Sequence, residues 1–173
     1  PVSPYGVTKL AAEHLCHLYC VNYGVPTTSL RYFTVYGPRQ RPDMAFNKFI
    51  RSALKGEEIV VFGDGEQTRD FTYVSDAVQA NVLAACAELG RGAESENAVG
   101  RVFNIGGGSR ISVNAVLDIL RELVGPLRVR HEEDQKGDVR HTMSETTAAR
   151  EILGYSPKVG ISDGLAQEVE WMR

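Results

Sequence analysis

The chain has 173 residues, enough for one domain that buries roughly two-thirds of its unfolded surface. Apolar residues at 43% and charged residues at 24% lie near globular averages and exclude a disordered or fibrous chain. Nineteen Lys and Arg against 22 Asp and Glu give a net charge of −3, so no basic footprint for nucleic acid or an anionic membrane is present.

In chain order, residues 6–23 read as a helix, with Val7, Leu10, Leu15, Leu18 and Val21 at three- and four-residue spacing and Gly24 and Pro26 as the stop. Residues 27–35 read as one buried strand rich in β-branched and aromatic side chains, ending at Tyr36-Gly37-Pro38. A polar loop follows, then a helix over 44–54 and a strand over 58–62 that turns at Gly63-Asp64-Gly65. Residues 71–74 look strand-like, and Ser75 is expected to cap a helix over 76–89. Residues 90–100 read as a surface loop, and 101–105 as a strand ended by three glycines. Ser112 is expected to cap a helix carrying Val113, Val116, Leu117, Leu120 and Val124 as one apolar stripe. A strand over 127–131 and two short helices near 145–153 and 163–172 complete an α/β pattern.

No apolar run approaches the roughly 18 residues that a membrane span needs. Three cysteines argue against a disulfide framework and for a reducing, cytoplasmic setting. The chain opens at Pro1 rather than at Met, and is expected to be a piece of a longer protein. Neither Gly63-Asp64-Gly65 nor Gly106-Gly107-Gly108 has the context of a dinucleotide fingerprint, so both read as turns. Cys16 and Cys20 share a helix face and are expected as buried thiols rather than metal ligands. His131 and His141 have no evident partner, and Trp171 reads as a packing residue of the last helix.

Tyr5 and Lys9 are four apart at a helix start, so their side chains share a face. An ammonium beside a phenol favours the phenolate, a base for a hydroxyl proton. Downstream, Arg31-Tyr-Phe-Thr-Val-Tyr-Gly-Pro38, then 62–76 (FGDGEQTRDFTYVSD), then Asn104-Ile-Gly-Gly107 and 137–142 (GDVRHT) follow in order. This succession resembles the extended short-chain dehydrogenase/reductase family, specifically its NAD-dependent nucleotide-sugar epimerases and dehydratases. The resemblance spans nearly the whole chain and places it in the second half of that family's protein. It implies the C-terminal part of a Rossmann-type doubly wound sheet plus a small mixed α/β substrate-binding domain. On that basis 1–38 would close the NAD-binding domain, and 39–173 would mainly bind the UDP-sugar. Segments about 70–108 would return to the Rossmann part.

Residue by residue, the resemblance makes Tyr5 the proton acceptor and Lys9 its partner and NAD-ribose ligand, with Tyr32 and Val35 beside the cofactor. Val60 and Phe62 would hold the uracil ring, Arg69 the diphosphate, and Asp138 the uridine ribose. Thr34 stands where glucose epimerases usually carry Asn, and Gln135 where many relatives carry Arg. The run from Arg31 to Ala45 is similar to UDP-glucuronate 4-epimerases, in which Thr34 and Arg41 would hold the sugar carboxylate and Met44 would line the site. The expected activity is therefore C4 epimerisation of UDP-glucuronate through a 4-keto sugar, with NAD as cofactor. UDP-glucose 4-epimerase, a dehydratase or decarboxylase, and a catalytically silent dimerising fragment remain alternatives. A homodimer through the helix after Tyr5 is implied as well.

Overall fold

The computed structural model describes residue 1 and residues 3–87, 98–133 and 139–173. Helix α1 (Pro4–Tyr23) starts where the Ser3 side chain accepts the Gly6 N–H at 3.1 Å, with Pro4 in the first turn. It begins earlier than expected, and none of its residues is buried.

The single strand expected over 27–35 is two strands. β1 (Ser29–Tyr32) pairs in parallel with β6 (Val102–Ile105), whereas β2 (Val35–Tyr36) pairs in parallel with β5 (Thr72–Tyr73). The chain changes partner between them: Phe33 N–H donates to Ile105 O at 2.9 Å, and Thr34 O accepts Thr72 N–H at 3.1 Å. The same stretch is only partly buried, since β1 ends in exposed Arg31 and Tyr32.

Helix α2 (Ala45–Lys55) and strand β3 (Glu58–Phe62) match their expected spans closely. The sequence reading missed β4 (Thr68–Asp70) and β7 (Arg110–Ser112), which pair antiparallel. Helix α3 (Val74–Cys86) begins at Tyr73, so Ser75 lies inside the first turn rather than capping it. The expected loop over 90–100 lies outside the described residues except for 98–100. Helix α4 (Val113–Val124) is capped as expected by Ser112, whose side chain accepts Ala115 N–H at 3.2 Å. β8 (Arg128–Glu132) pairs in parallel with β3, and α5 (Thr147–Leu153) and α6 (Ile161–Met172) follow.

Two hydrophobic clusters organise these elements. The larger one gathers Tyr36, Phe46, Ile50, Ile59, Leu117 and Leu165 with their neighbours, so α2, β3, α4 and α6 converge on it. Edge-on contacts of Tyr36 with Phe46 at 5.3 Å and Tyr73 at 5.4 Å lock its centre. The smaller one gathers Ala80, Phe103, Ile105, Ala149, Leu153 and Tyr155, behind β1 and β6.

Asp70 ties the two together. It is fully buried, and its carboxylate accepts Gly107 N–H at 2.9 Å, Ser144 N–H at 3.1 Å and the Ser144 hydroxyl. Three donors compensate the desolvated charge. They also explain the glycine run: a Cβ on Gly106 would meet Ser144 Oγ at 1.9 Å, and one on Gly107 would meet Phe71 O at 2.1 Å. These glycines permit close approach of backbone, as a structural turn requires.

Candidate functional site

Tyr5 and Lys9 share one face of α1, with the Lys9 ammonium 5.5 Å from the centre of the Tyr5 ring. Both are exposed, Tyr5 at 71%. They line a cleft of about 940 Å³ between α1 and β1 that also takes in Glu13, Arg31, Tyr32 and Asn104. Arg31 grips Glu13 through two 2.7 Å hydrogen bonds, which hold the Glu13 carboxyl below its usual range. Burial pushes the Tyr32 phenol up, against a hydrogen bond from Asn81.

A second cavity, of about 270 Å³, forms where α2, β3 and β4 meet. It collects Thr34, Val60, Phe62 and Arg69, which lie as far apart in sequence as positions 34 and 69. Phe62 is 38% exposed and lines this space instead of joining the core. Arg69 is half-buried, and its Nη1 donates to Thr68 O at 3.0 Å and Arg140 O at 3.2 Å. Two carbonyls thus fix the guanidinium while it borders the cavity.

Lys48, Asp43 and Gln67 line the same cavity and were not singled out from sequence. Only for Lys48 was there a signal: it is the one charged residue in the first turn of α2.

Val35, Arg41 and Met44 line a third space, of about 250 Å³, beside the Gly37-Pro38 turn. The expected residues are therefore distributed over three cavities rather than one. Val35 does not line the cleft of Tyr5, Lys9 and Tyr32. Thr34 and Arg41, expected as a pair, line different cavities and are bridged by Asp43. Arg41 Nε and Nη2 donate to the two Asp43 oxygens at 3.0 and 2.6 Å. These bonds raise the Arg41 guanidinium and lower the Asp43 carboxyl from their ordinary values. Gln135 and Asp138 lie outside the described residues.

The turn carrying Arg41 is held from below by Glu168 on α6. This side chain is fully buried, and Oε2 accepts Gly37 N–H at 2.9 Å. Burial pushes its carboxyl up to about 7. Sequence offered no sign of this, because the contact joins residues 131 apart.

Other expectations are corrected. Cys16 is exposed and Cys20 half-buried, so neither is a core thiol, and no residue of α1 is buried among the described residues. Among the described residues no His/Cys/Asp/Glu group has metal-binding geometry. His131 and His141 do have partners: their Nδ1 atoms lie 2.8 Å from Gly63 O and Thr68 Oγ1. Trp171 is 50% exposed rather than packed. No described helix is long and apolar enough to cross a membrane.

The chain is similar to known proteins along almost its whole length. The NAD dependent epimerase/dehydratase family model matches residues 1–106. The uncharacterized UDP-glucose epimerase YtcB of Bacillus subtilis is 42% identical over 173 residues, 99% of this chain and 52% of its own length. The crystal structure of UDP-glucuronic acid 4-epimerase from Bacillus cereus, in complex with UDP-glucuronic acid and NAD, is 42% identical with a TM-score of 0.92. That match covers 99% of this chain and 53% of the other. UDP-glucose 4-epimerase from Thermotoga maritima with UDP-glucose is 40% identical with a TM-score of 0.88, over 99% of this chain and 54% of its own. The chain spans about half the length of the proteins it matches.

Proposed function

Because the chain belongs to the NAD-dependent epimerase/dehydratase family, we propose that it is the base-bearing and substrate-binding half of a UDP-sugar 4-epimerase whose substrate is UDP-glucuronate. The observation that carries this reading is the convergence of Thr34, Val60, Phe62 and Arg69 on one cavity. A flat ring, a fixed guanidinium and a hydroxyl suit a uridine diphosphate with its sugar. On this reading the uracil stacks on Phe62 beside Val60, and Arg69 takes the diphosphate. Gln135 and Asp138 would complete the diphosphate and ribose contacts.

The donor set of the first cleft fits the ribose end of a dinucleotide: a phenol, an ammonium and the Asn104 side chain face one space of about 940 Å³. Tyr5, Lys9 and Tyr32 would hold NAD there, with Val35 bordering it from the neighbouring pocket. Bound NAD supplies the acceptor and donor of the hydride at sugar C4. Tyr5 takes the 4-hydroxyl proton and returns it, which typically contributes 10²–10⁴-fold to a rate. Lys9 favours the deprotonated phenol by its charge. Arg41 and Thr34 orient the sugar carboxylate, which requires Arg41 to exchange Asp43 for the substrate. Met44 lines the approach.

The domain division follows the two clusters in part: residues 1–38 with the β6 side would belong to the NAD-binding domain. The larger cluster would carry the UDP-sugar domain, with segments about 70–108 shared. The exposed apolar side chains Val7, Leu15, Leu18 and Val21 support pairing of α1 with a second copy in a homodimer. The free thiols of Cys16, Cys20 and Cys86 support a cytoplasmic setting.

A second reading, UDP-glucose as substrate, is favoured by the Arg41–Asp43 pairing, which occupies the proposed carboxylate clamp. The full-length protein decides between them. UDP-glucuronate and UDP-galacturonate should interconvert far faster than the neutral hexose pair, and Arg41→Ala should slow only the acid sugar, by roughly 10²-fold. Equal turnover of UDP-glucose by the unmodified protein selects the second reading.

A further inference from the structure

Between α2 and the end of α6 runs a groove of about 710 Å³ lined by Arg39, Arg51, Leu54, Lys55, Trp171 and Met172, among others. It shares no lining residue with the cavity of Thr34 and Arg69, and none of its lining residues is acidic. That composition runs against the rest of the molecule, which has 22 acids to 19 bases. Several exposed arginines elsewhere hold carboxylates: Arg31 on Glu13, Arg41 on Asp43, Arg130 on Glu58 and Glu132, Arg140 on Asp64. In the groove, Arg51 donates instead to the neutral amide of Asn47 at 3.0 Å, and Lys55 reaches Glu57 only at 3.9 Å. Among the described residues no carboxylate pairs with Arg39.

The backbone independently marks Arg39. Gln40 N–H donates to Gly37 O at 3.0 Å, with Pro38 second and Arg39 third in the turn so closed. Arg39 has φ 68 and is the one non-glycine with positive φ among the described residues. This is the form of a type II turn, whose third position favours Gly or Asn because other side chains are strained there. Strain retained at a residue with a long cationic side chain points to a use for that side chain. Beside it, the indole of Trp171 is 50% exposed and Leu54 37% exposed, an apolar face next to three cations.

We infer that this groove binds a nucleoside phosphate, its base against Trp171 and its phosphates among Arg39, Arg51 and Lys55. A base stacks on an indole through its π-face, guanidinium groups take phosphate oxygens in a planar fork, and the volume lies in the range of small-molecule sites. The groove shares Arg39 and Gln40 with the space of Arg41 and Met44, but none of the residues proposed to hold the uridine diphosphate.

The test follows the fluorine resonance of Trp171 in the full-length protein labelled with 5-fluorotryptophan, assigned by its loss in Trp171→Phe. Adenosine diphosphate is the probe, with pyrophosphate and adenosine as separate arms. Adenosine diphosphate should shift the resonance saturably, and each half-molecule should bind at least tenfold more weakly. Arg39→Gly removes the guanidinium while relaxing the turn, so the fold is retained. It and Arg51→Ala should each weaken the shift by roughly tenfold or more, whereas Arg69→Ala should leave it intact. The absence of a saturable shift, or a shift that survives Arg39→Gly and Arg51→Ala, overturns the proposal. A pyrophosphate effect as strong as that of the nucleotide overturns the nucleoside assignment. Loss of the shift in Arg69→Ala assigns the nucleotide to the other cavity and equally overturns it.

Discussion

Helix α1 and the Tyr36 cluster represent opposite solutions to placing functional groups. Around Tyr36, residues from α2, β3, α4 and α6 bury one another completely, and the cavity of Thr34, Phe62 and Arg69 is set directly into that packing. α1 buries none of its residues, yet carries Tyr5 and Lys9. The binding cavity is thus shaped by a core contained within these 173 residues. Tyr5 and Lys9 stand on a helix none of whose residues is buried. Substrate contacts should therefore tolerate no change in the packing beneath them, whereas changes on α1 should affect chemistry and association but not the core.

The largest expected effect sharpens this contrast. Tyr5→Phe in the full-length protein should lower the epimerisation rate by roughly 10²–10⁴-fold, with an unchanged thermal midpoint, because an exposed hydroxyl contributes nothing to packing. A near-normal rate would move the base elsewhere. In the core the signs exchange. Phe46→Ala should destabilise by about 3–5 kcal/mol by denaturant unfolding, whereas Val21→Ala on α1 should stay within about 0.5 kcal/mol for the isolated chain. A comparable loss from Val21→Ala would show that α1 is packed after all.

Glu168 sharpens the comparison through pH. Its folded carboxyl is raised to about 7, so the folded state holds the proton more tightly than the unfolded state does. Its stabilising contribution is complete below the unfolded carboxyl range near 4.3. It is lost as pH rises through about 7. The loss amounts to at most about 4 kcal/mol. Glu168→Gln, which keeps an acceptor for Gly37 N–H, should flatten the stability profile over that window. An unchanged profile would show that Glu168 ionises without penalty. Arg69→Ala should raise the Michaelis constant for the UDP-sugar by an amount equivalent to about 1.5–3 kcal/mol and leave kcat nearly intact. A fall in kcat alone would remove Arg69 from ground-state binding.

What the sequence by itself determined is what local periodicity and capping encode. The strand Glu58–Phe62, the Ser112 cap of α4 and the end of α1 at Gly24 need only neighbours in the chain, and they stand as read. Spacing put Tyr5 and Lys9 on one helix face, and the family resemblance of the ordered motifs implied Thr34, Phe62 and Arg69 as site candidates. Tertiary structure alone decided how those candidates were grouped. The stretch over 27–35 is uniformly strand-forming, yet β1 and β2 take different partners because Ile105 and Thr72 present their backbones to it in succession. Asp43 sits two residues from Arg41 in sequence, but its place between the cavities of Thr34 and Arg41 appears only once α2 is docked. Glu168 looked like one more polar residue of an amphipathic last helix. Its burial against Gly37 depends on α6 packing across Tyr36, a contact between residues too far apart in sequence for any local pattern to record.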